Sequence, residues 1–279
     1  MPASCRLAKE QAAHCVIDPY EVAVDSWTFP EEIVKKATLC GATLPDLADY
    51  EQVPVEEAQQ RLGVSVPEQQ ILLCPRGFSG DLGIVVTVRN GVDNVFVFGA
   101  RAAAKRSAIN IRGSGNVFCM GDDALLRGAV ISLSEGGYCV FGRAVTTNAS
   151  NRFVVRGPSG VMVGDDSMFA SSTMVRTWDS HGIFDKDSKE PINPPESVDL
   201  QSHVWIGDEV TILKGTWLGT HSVIATNSVV TKSVEPYCIA AGVPAKVVRR
   251  NVVWSRSRMW QDEPVYEDVA RRYVTDEVG

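Results

Sequence analysis

From Leu200 onward the chain can be cut into consecutive blocks of six, LQSHVW, IGDEVT, ILKGTW, LGTHSV and IATNSV, followed by a shorter VTKSV. Each block opens on an aliphatic residue: Leu200, Ile206, Ile212, Leu218, Ile224 and Val230. Each also carries a small or β-branched residue at its fifth position: Val204, Val210, Thr216, Ser222, Ser228 and Val234. A period of six fits neither the 3.6 of a helix nor the alternation of a strand in an open sheet. It fits short strands that turn a corner every six residues, with the first position filling the interior and the fifth packing near the bend.

A looser form of the repeat runs upstream through Val95-Phe96-Val97-Phe98-Gly99, Val117-Phe118-Cys119-Met120-Gly121, Tyr138-Cys139-Val140-Phe141-Gly142 and Val161-Met162-Val163-Gly164. These glycines stand 22, 21 and 22 residues apart, and another 43 residues, read as two periods, lead to Gly207. Coils of this length carry extra residues at one corner, and the double interval holds an excursion at 184–197 rich in Asp, Lys, Glu and Pro. Stacked coils satisfy one another's backbone and leave edges only at the two ends, which need caps. Residues 1–80 supply a mixed cap, with helical stretches at Pro30 to Leu39 and Val55 to Leu62. Asp81 to Phe98 reads as strand, Asn90-Gly91 turn, strand. The β-helix itself is assigned to 81–250. Within 251–279, Val265, Val269 and Tyr273 form one helical stripe, read as a short closing helix.

Composition narrows the functional classes. The 279 residues are 44% hydrophobic and 22% charged, ordinary for a soluble globular protein, and no apolar run is long enough to span a bilayer. The net charge of −7 argues against a nucleic-acid partner. The first residues contain no apolar stretch of signal-peptide length, which implies a cytoplasmic protein. Seven cysteines, scattered and without a CxxC, read as reduced, mostly buried thiols. His203 and His221 lie 18 residues apart, at one phase of successive coils, where their rings can stack. A third ligand in register is missing, so no metal is expected.

Two runs of cations lack an intervening acid. Lys246, Arg249, Arg250, Arg256 and Arg258 follow the turn Ala240-Ala241-Gly242-Val243-Pro244-Ala245, and Arg101, Lys105, Arg106 and Arg112 lie on earlier coils. The first run suits a ligand carrying phosphates. The second reads as an ordinary coil surface, with attraction of an acidic glycan as the alternative. Trp205 sits between the inward Val204 and Ile206, so it points outward, where a tryptophan marks a contact surface. Trp217, two blocks later at the same phase, reads as a residue of a subunit interface.

Six-residue repeats followed by Ala240 to Lys246 resemble the hexapeptide-repeat acyltransferases, strongly over 160–250 and more loosely back to Asp81. The resemblance implies an all-β fold, a left-handed parallel β-helix with three flat faces, here with a mixed N-terminal cap and a short C-terminal helix. Within that superfamily, Arg176 to Asp185, then Pro191-Ile192-Asn193-Pro194-Pro195, then His203-Val204-Trp205-Ile206-Gly207 look like the capsular polysaccharide O-acetyltransferases, and most of all the polysialic-acid O-acetyltransferases. Two departures are Gly182, where serine is usual, and the long N-terminal region. The family's catalytic histidine and active-site tryptophan correspond to His181 and Trp205, 24 residues apart.

The resemblance implies an acetyl-CoA-dependent O-acetyltransferase acting on a hydroxyl of a sugar or surface polysaccharide, assembled as a homotrimer with active sites between neighbouring β-helices. Acetyl transfer from a thioester to an alcohol needs a base, a holder for the thioester and oxyanion donors. An imidazole near its natural pKa takes the hydroxyl proton and passes it to the departing thiolate, the role given to His181. Asp179, or a backbone carbonyl, is the candidate to fix its tautomer. Trp205 is the wall against the pantetheine arm, or else part of a subunit interface. Thr226, Thr231, Lys232, Ala241, Lys246 and Arg249 match positions that contact coenzyme A in related enzymes. His203, two residues from Trp205, borders the acyl site on this reading. The competing readings are N-acetylation of an amino sugar or nucleotide-linked sugar, and a non-catalytic β-helical scaffold.

Overall fold

The computed structural model describes residues 27–257. The chain winds through three parallel sheets in a fixed order. Face I begins with the six-residue strands Ile84–Arg89, Ser107–Arg112, Ala129–Ser134 and Asn151–Arg156, and continues with Met174–Arg176, Thr211–Ile212 and Val229–Val230. Face II runs from Ile71–Pro75 through Val95–Phe98, Val117–Met120, Tyr138–Phe141, Gly160–Val163 and Val198–Leu200 to Trp217–Leu218. Face III runs from Ala103–Lys105 through Met168–Phe169, Trp205–Ile206 and Val223–Ile224 to Cys238–Ala241. The result is a left-handed parallel β-helix.

The hexad positions behave as their side chains dictate. All six first-position aliphatics are fully buried, and the fifth positions Val204, Val210, Thr216, Ser222, Ser228 and Val234 are buried beside the corners. In the upstream coils five phenylalanines, Phe98, Phe118, Phe141, Phe153 and Phe169, form a continuous stack with neighbouring ring centroids 5.0–6.2 Å apart. Most contacts are edge-to-face, the arrangement that ring quadrupoles favour. At one corner a polar ladder satisfies the buried backbone: Asn94 Nδ2 donates to Gln70 Oε1, Asn116 Nδ2 to Asn94 Oδ1, and the Gly137 N–H to Asn116 Oδ1.

Three expectations are corrected. Ile84–Arg89 and Val95–Phe98 do not pair as a hairpin; they lie on faces I and II, and Asn90 (φ 53°) turns the corner between them. The extra residues of the upstream coils lengthen the face I strands to six residues instead of bulging at a corner. Gly207 does not continue the glycine column either. Gly99, Gly121, Gly142 and Gly164 occupy the corner after face II, where Val163 pairs with Leu200 and so Gly164 is followed by Gln201. The excursion therefore belongs to one coil and leaves it at 177–197, while Gly207 lies at the corner after face III.

The flanks cap the stack. Helix α1 (Glu31–Cys40) packs Ile33, Ala37 and Cys40 inward against face II, with Lys36 Nζ 2.7 Å from Asp199, and stops at Gly41 in the left-handed region. Helix α2 (Val55–Leu62) buries Ala58 and Leu62 in the main core beside the first coil. Tyr50–Gln52 runs antiparallel to Ile71–Pro75 at one end, and Lys246–Arg250 runs antiparallel to Cys238–Ala241 at the other. The stripe Val265, Val269 and Tyr273 read as a closing helix lies outside the described residues, as do Arg258, Cys5 and Cys15. Cys40, Cys74, Cys119, Cys139 and Cys238 are buried and unpaired, and burial pushes the Cys40 thiol up to about 12 and that of Cys74 to about 11. Among the described residues no helix is long and apolar enough to cross a membrane.

Candidate active site

The excursion leaves the corner between faces I and II, directly after Met174–Arg176. Its stem is held by side chains. Asn193 is the hub: its Nδ2 donates to Asp179 Oδ2 at 3.0 Å and to the His181 carbonyl at 2.9 Å, and its Oδ1 accepts from the Ile183 N–H at 2.6 Å. Lys214, at the same corner one coil further on, donates from Nζ to Asp179 Oδ2 at 2.6 Å and to the Asn193 carbonyl at 2.9 Å. The Lys214 ammonium and then the Asn193 amide hold the Asp179 carboxyl below the usual carboxylate range. Phe184 and Pro191 bridge in antiparallel fashion further out.

His181 is exposed, and its ring makes no hydrogen bond within the described chain; only its carbonyl is held. Asp179 thus takes a different position from the one expected of a tautomer-fixing partner. It ties the segment to Lys214 and Asn193, and both of those partners escaped the sequence reading. Asn193 lies in the Pro-Ile-Asn-Pro-Pro segment that carries the family resemblance, whereas nothing local in the sequence points to Lys214.

Trp205 is on face III, paired in register with Met168 on one side and Val223 on the other, and is 38% exposed. Its ring lies 5.8 Å from that of Trp254, which is buried beneath a dense network. Trp254 stacks on His203 at 3.9 Å and donates from Nε1 to the His203 carbonyl. The His203 ring meets Asp166 Oδ2 at 2.7 Å through Nδ1 and the Trp254 carbonyl at 2.9 Å through Nε2. Both ring nitrogens are therefore engaged in structure, and the side chain is buried. His221 lies next to it on the following coil, as the 18-residue spacing implies, but the rings, with centroids 4.6 Å apart, meet edge to face at 63° instead of stacking, and burial together with His203 pushes the His221 pKa down to about 4. Among the described residues no group of three His, Cys, Asp or Glu side chains is arranged to hold a metal ion.

The six positions matched to coenzyme A contacts divide between two regions. Thr231 and Lys232 follow Val229–Val230 at the corner between faces I and II, the corner from which the His181 segment leaves. Ala241, Lys246 and Arg249 end face III, and Thr226 lies at the corner beyond it. Register places Arg249 in the column of Trp205: Trp205 pairs with Val223, Val223 with Ile239, and Ile239 with Arg249. Of the C-terminal cations, Arg250 is committed to Glu235 and Arg256 to Asp166, whereas Lys246 and Arg249 have no acidic partner among the described residues. In a three-faced prism the corner between faces I and II lies across the core from face III. His181 and Trp205 of one chain consequently stand on opposite sides.

No family model matches the sequence. Over 182 residues the chain is 32% identical to the polysialic acid O-acetyltransferase of Neisseria meningitidis, covering 63% of this chain and 84% of that one. The chain belongs to the polysialic acid O-acetyltransferase family. A second member, from Escherichia coli O1:K1, is 35% identical over 132 residues, 47% of this chain and 42% of that relative, so the match spans less than half of its length. The crystal structure of the polysialic acid O-acetyltransferase OatWY superposes with a TM-score of 0.59 at 26% identity, covering 74% of this chain and 92% of that one. The family is one of hexapeptide-repeat acyltransferases, in agreement with the repeat and the fold.

Proposed function

We propose that this protein transfers an acetyl group from acetyl-CoA to a hydroxyl of a sugar polymer, with His181 as general base. The observation that carries the reading is an exposed imidazole on a segment pinned by Asn193 and Lys214, in a family whose relatives O-acetylate polysialic acid. The acceptor hydroxyl gives its proton to His181 and its oxygen attacks the thioester carbonyl. The tetrahedral intermediate then collapses to the ester, and the proton passes to the departing thiolate. No covalent bond to the protein forms.

Trp205 walls the pantetheine arm, and Arg249, three strands along the same column or roughly 14 Å away, takes the phosphate end together with Lys246. Thr226 and Ala241 flank that path, while Thr231 and Lys232 approach it from a neighbouring copy. Since His181 and Trp205 face opposite sides of one chain, the complete site forms between copies, in a homotrimer with three equivalent clefts. Trp217, 40% exposed on face II, belongs to that interface. The domain division is a cap over 1–80, whose strand Ile71–Pro75 already opens face II, a catalytic β-helix over 81–250 and an extension over 251–279, in a cytoplasmic protein.

The test is product analysis with [acetyl-¹⁴C]acetyl-CoA and three acceptors: polysialic acid, a neutral hexose polymer and an amino sugar. Alkali-labile label on the polymer is expected. Alkali-stable label on the amino sugar would replace O-transfer by N-transfer, and no label with no acetyl-CoA binding would leave a scaffold.

A further inference from the structure

The upstream half of face I is wider than anything the hexad requires, and its outer surface is chemically distinct. Register aligns Thr87 with Asn110 and Asn110 with Ser132; beside them Arg89 aligns with Arg112, Arg112 with Ser134, and Ser134 with Arg156. These columns line an open groove of about 340 Å³ that ends at Trp178, three residues before His181.

Parallel strands lie about 4.8 Å apart, so Arg89 and Arg112 leave adjacent strands at the same register position, an unfavourable pairing of like charges. Both are exposed, and neither has an acidic partner among the described residues. Arg156 holds Glu135 at 2.5 Å and lies over the Trp178 ring at 4.9 Å; Arg176 donates to the Trp178 carbonyl. A chain with a net charge of −7 thus gathers three arginines against one glutamate along this groove. Repelling cations without partners call for an anion from outside, and the fork of a guanidinium matches a carboxylate. The hydroxyls and the amide in the neighbouring column suit a polyhydroxylated chain.

We propose that face I, from Arg89 down to Trp178, binds an extended segment of an anionic glycan and leads it to the His181 segment. The inference rests on the acetyltransferase reading for the identity of the reaction, not for the binding itself. Of the upstream basic run, Arg112 alone lines this groove; Arg101 is spent on Asp123, and Lys105 and Arg106 line the opposite edge of face I.

The test uses the full chain and the double variant Arg89→Gln/Arg112→Gln, with melting temperature as the folding control. Binding is measured for three probes of equal length: polysialic acid, its carboxyl-reduced neutral form and a single-stranded oligonucleotide. Polysialic acid is expected to bind at least tenfold more weakly to the variant than to the wild type, and the neutral polymer to bind weakly to both. In turnover, the KM for the polymer rises while kcat and the KM for acetyl-CoA stay unchanged. Equal affinity of wild type and variant, equal affinity for the neutral polymer, or tighter binding of the oligonucleotide would overturn the proposal. Arginine-dependent binding without acetyl transfer would remove the transferase reading and leave this one; transfer without arginine dependence would do the reverse.

Discussion

Lys214 Nζ lies 2.6 Å from Asp179 Oδ2, so the acid two residues before His181 serves the fold of its segment and not the imidazole. Corner side chains of successive coils are neighbours only because the stack brings them together, and here that adjacency fixes where an exposed excursion begins.

Lys214→Met should therefore loosen the segment without touching the donor. We expect kcat to fall between about 10- and 100-fold, the scale of small misplacements of a catalytic group. The KM for acetyl-CoA should hold. Asn193→Ala should behave alike, because it removes three contacts to the same segment. Steady-state kinetics with each substrate varied separately checks both.

The opposite placement of His181 and Trp205 predicts complementation. His181→Ala and Trp205→Ala homo-oligomers should each be inactive, yet co-expression should restore activity at about a quarter of the sites, as random mixing of copies in a ring allows. No recovery in purified mixed oligomers would mean that each chain builds its own site.

Trp254 links the C-terminal segment to the corner at His203, and its indole is the floor beneath Trp205. Trp254→Ala removes a buried aromatic and a hydrogen bond, and should destabilise the protein by about 3–5 kcal/mol. Denaturant melts give the value, and the fluorescence of Trp205 should shift in the same variant.

His221 supplies a pH dependence with a defined sign. Its pKa falls from 6.5 to about 4 in the folded protein, owing first to burial and then to His203. Above pH 6.5 the ring is neutral in both states and contributes no slope. As the pH drops from there towards 4 the unfolded chain binds the proton first, and stability declines by up to about 1.4 kcal/mol per pH unit. Unfolding measured across that window should show a shallower decline in His221→Gln.

The sequence reading reached far where the chemistry is periodic. Leu200, Ile206 and Ile212 declared the interior, and Trp205 its exterior, because six-residue spacing leaves one geometry for a buried aliphatic every block. It went astray where a count stands for a register. The 43 residues from Gly164 to Gly207 were read as two coils, but one coil with a long excursion brings Gln201, not Gly207, beneath Gly164. It was silent on Lys214 with Asp179 and on Arg256 with Asp166, pairs separated by 35 and 90 residues. Contacts of that kind depend on which corner each residue occupies, and no local pattern records it.

The most direct test of the central claim is acceptor-stimulated thiol release from acetyl-CoA by wild type and His181→Ala, with acetyl-CoA affinity measured on both. The account predicts a loss of about 10²–10⁴-fold in the variant, the contribution of a general base, with unchanged acetyl-CoA binding. Equal turnover by the two proteins would contradict it.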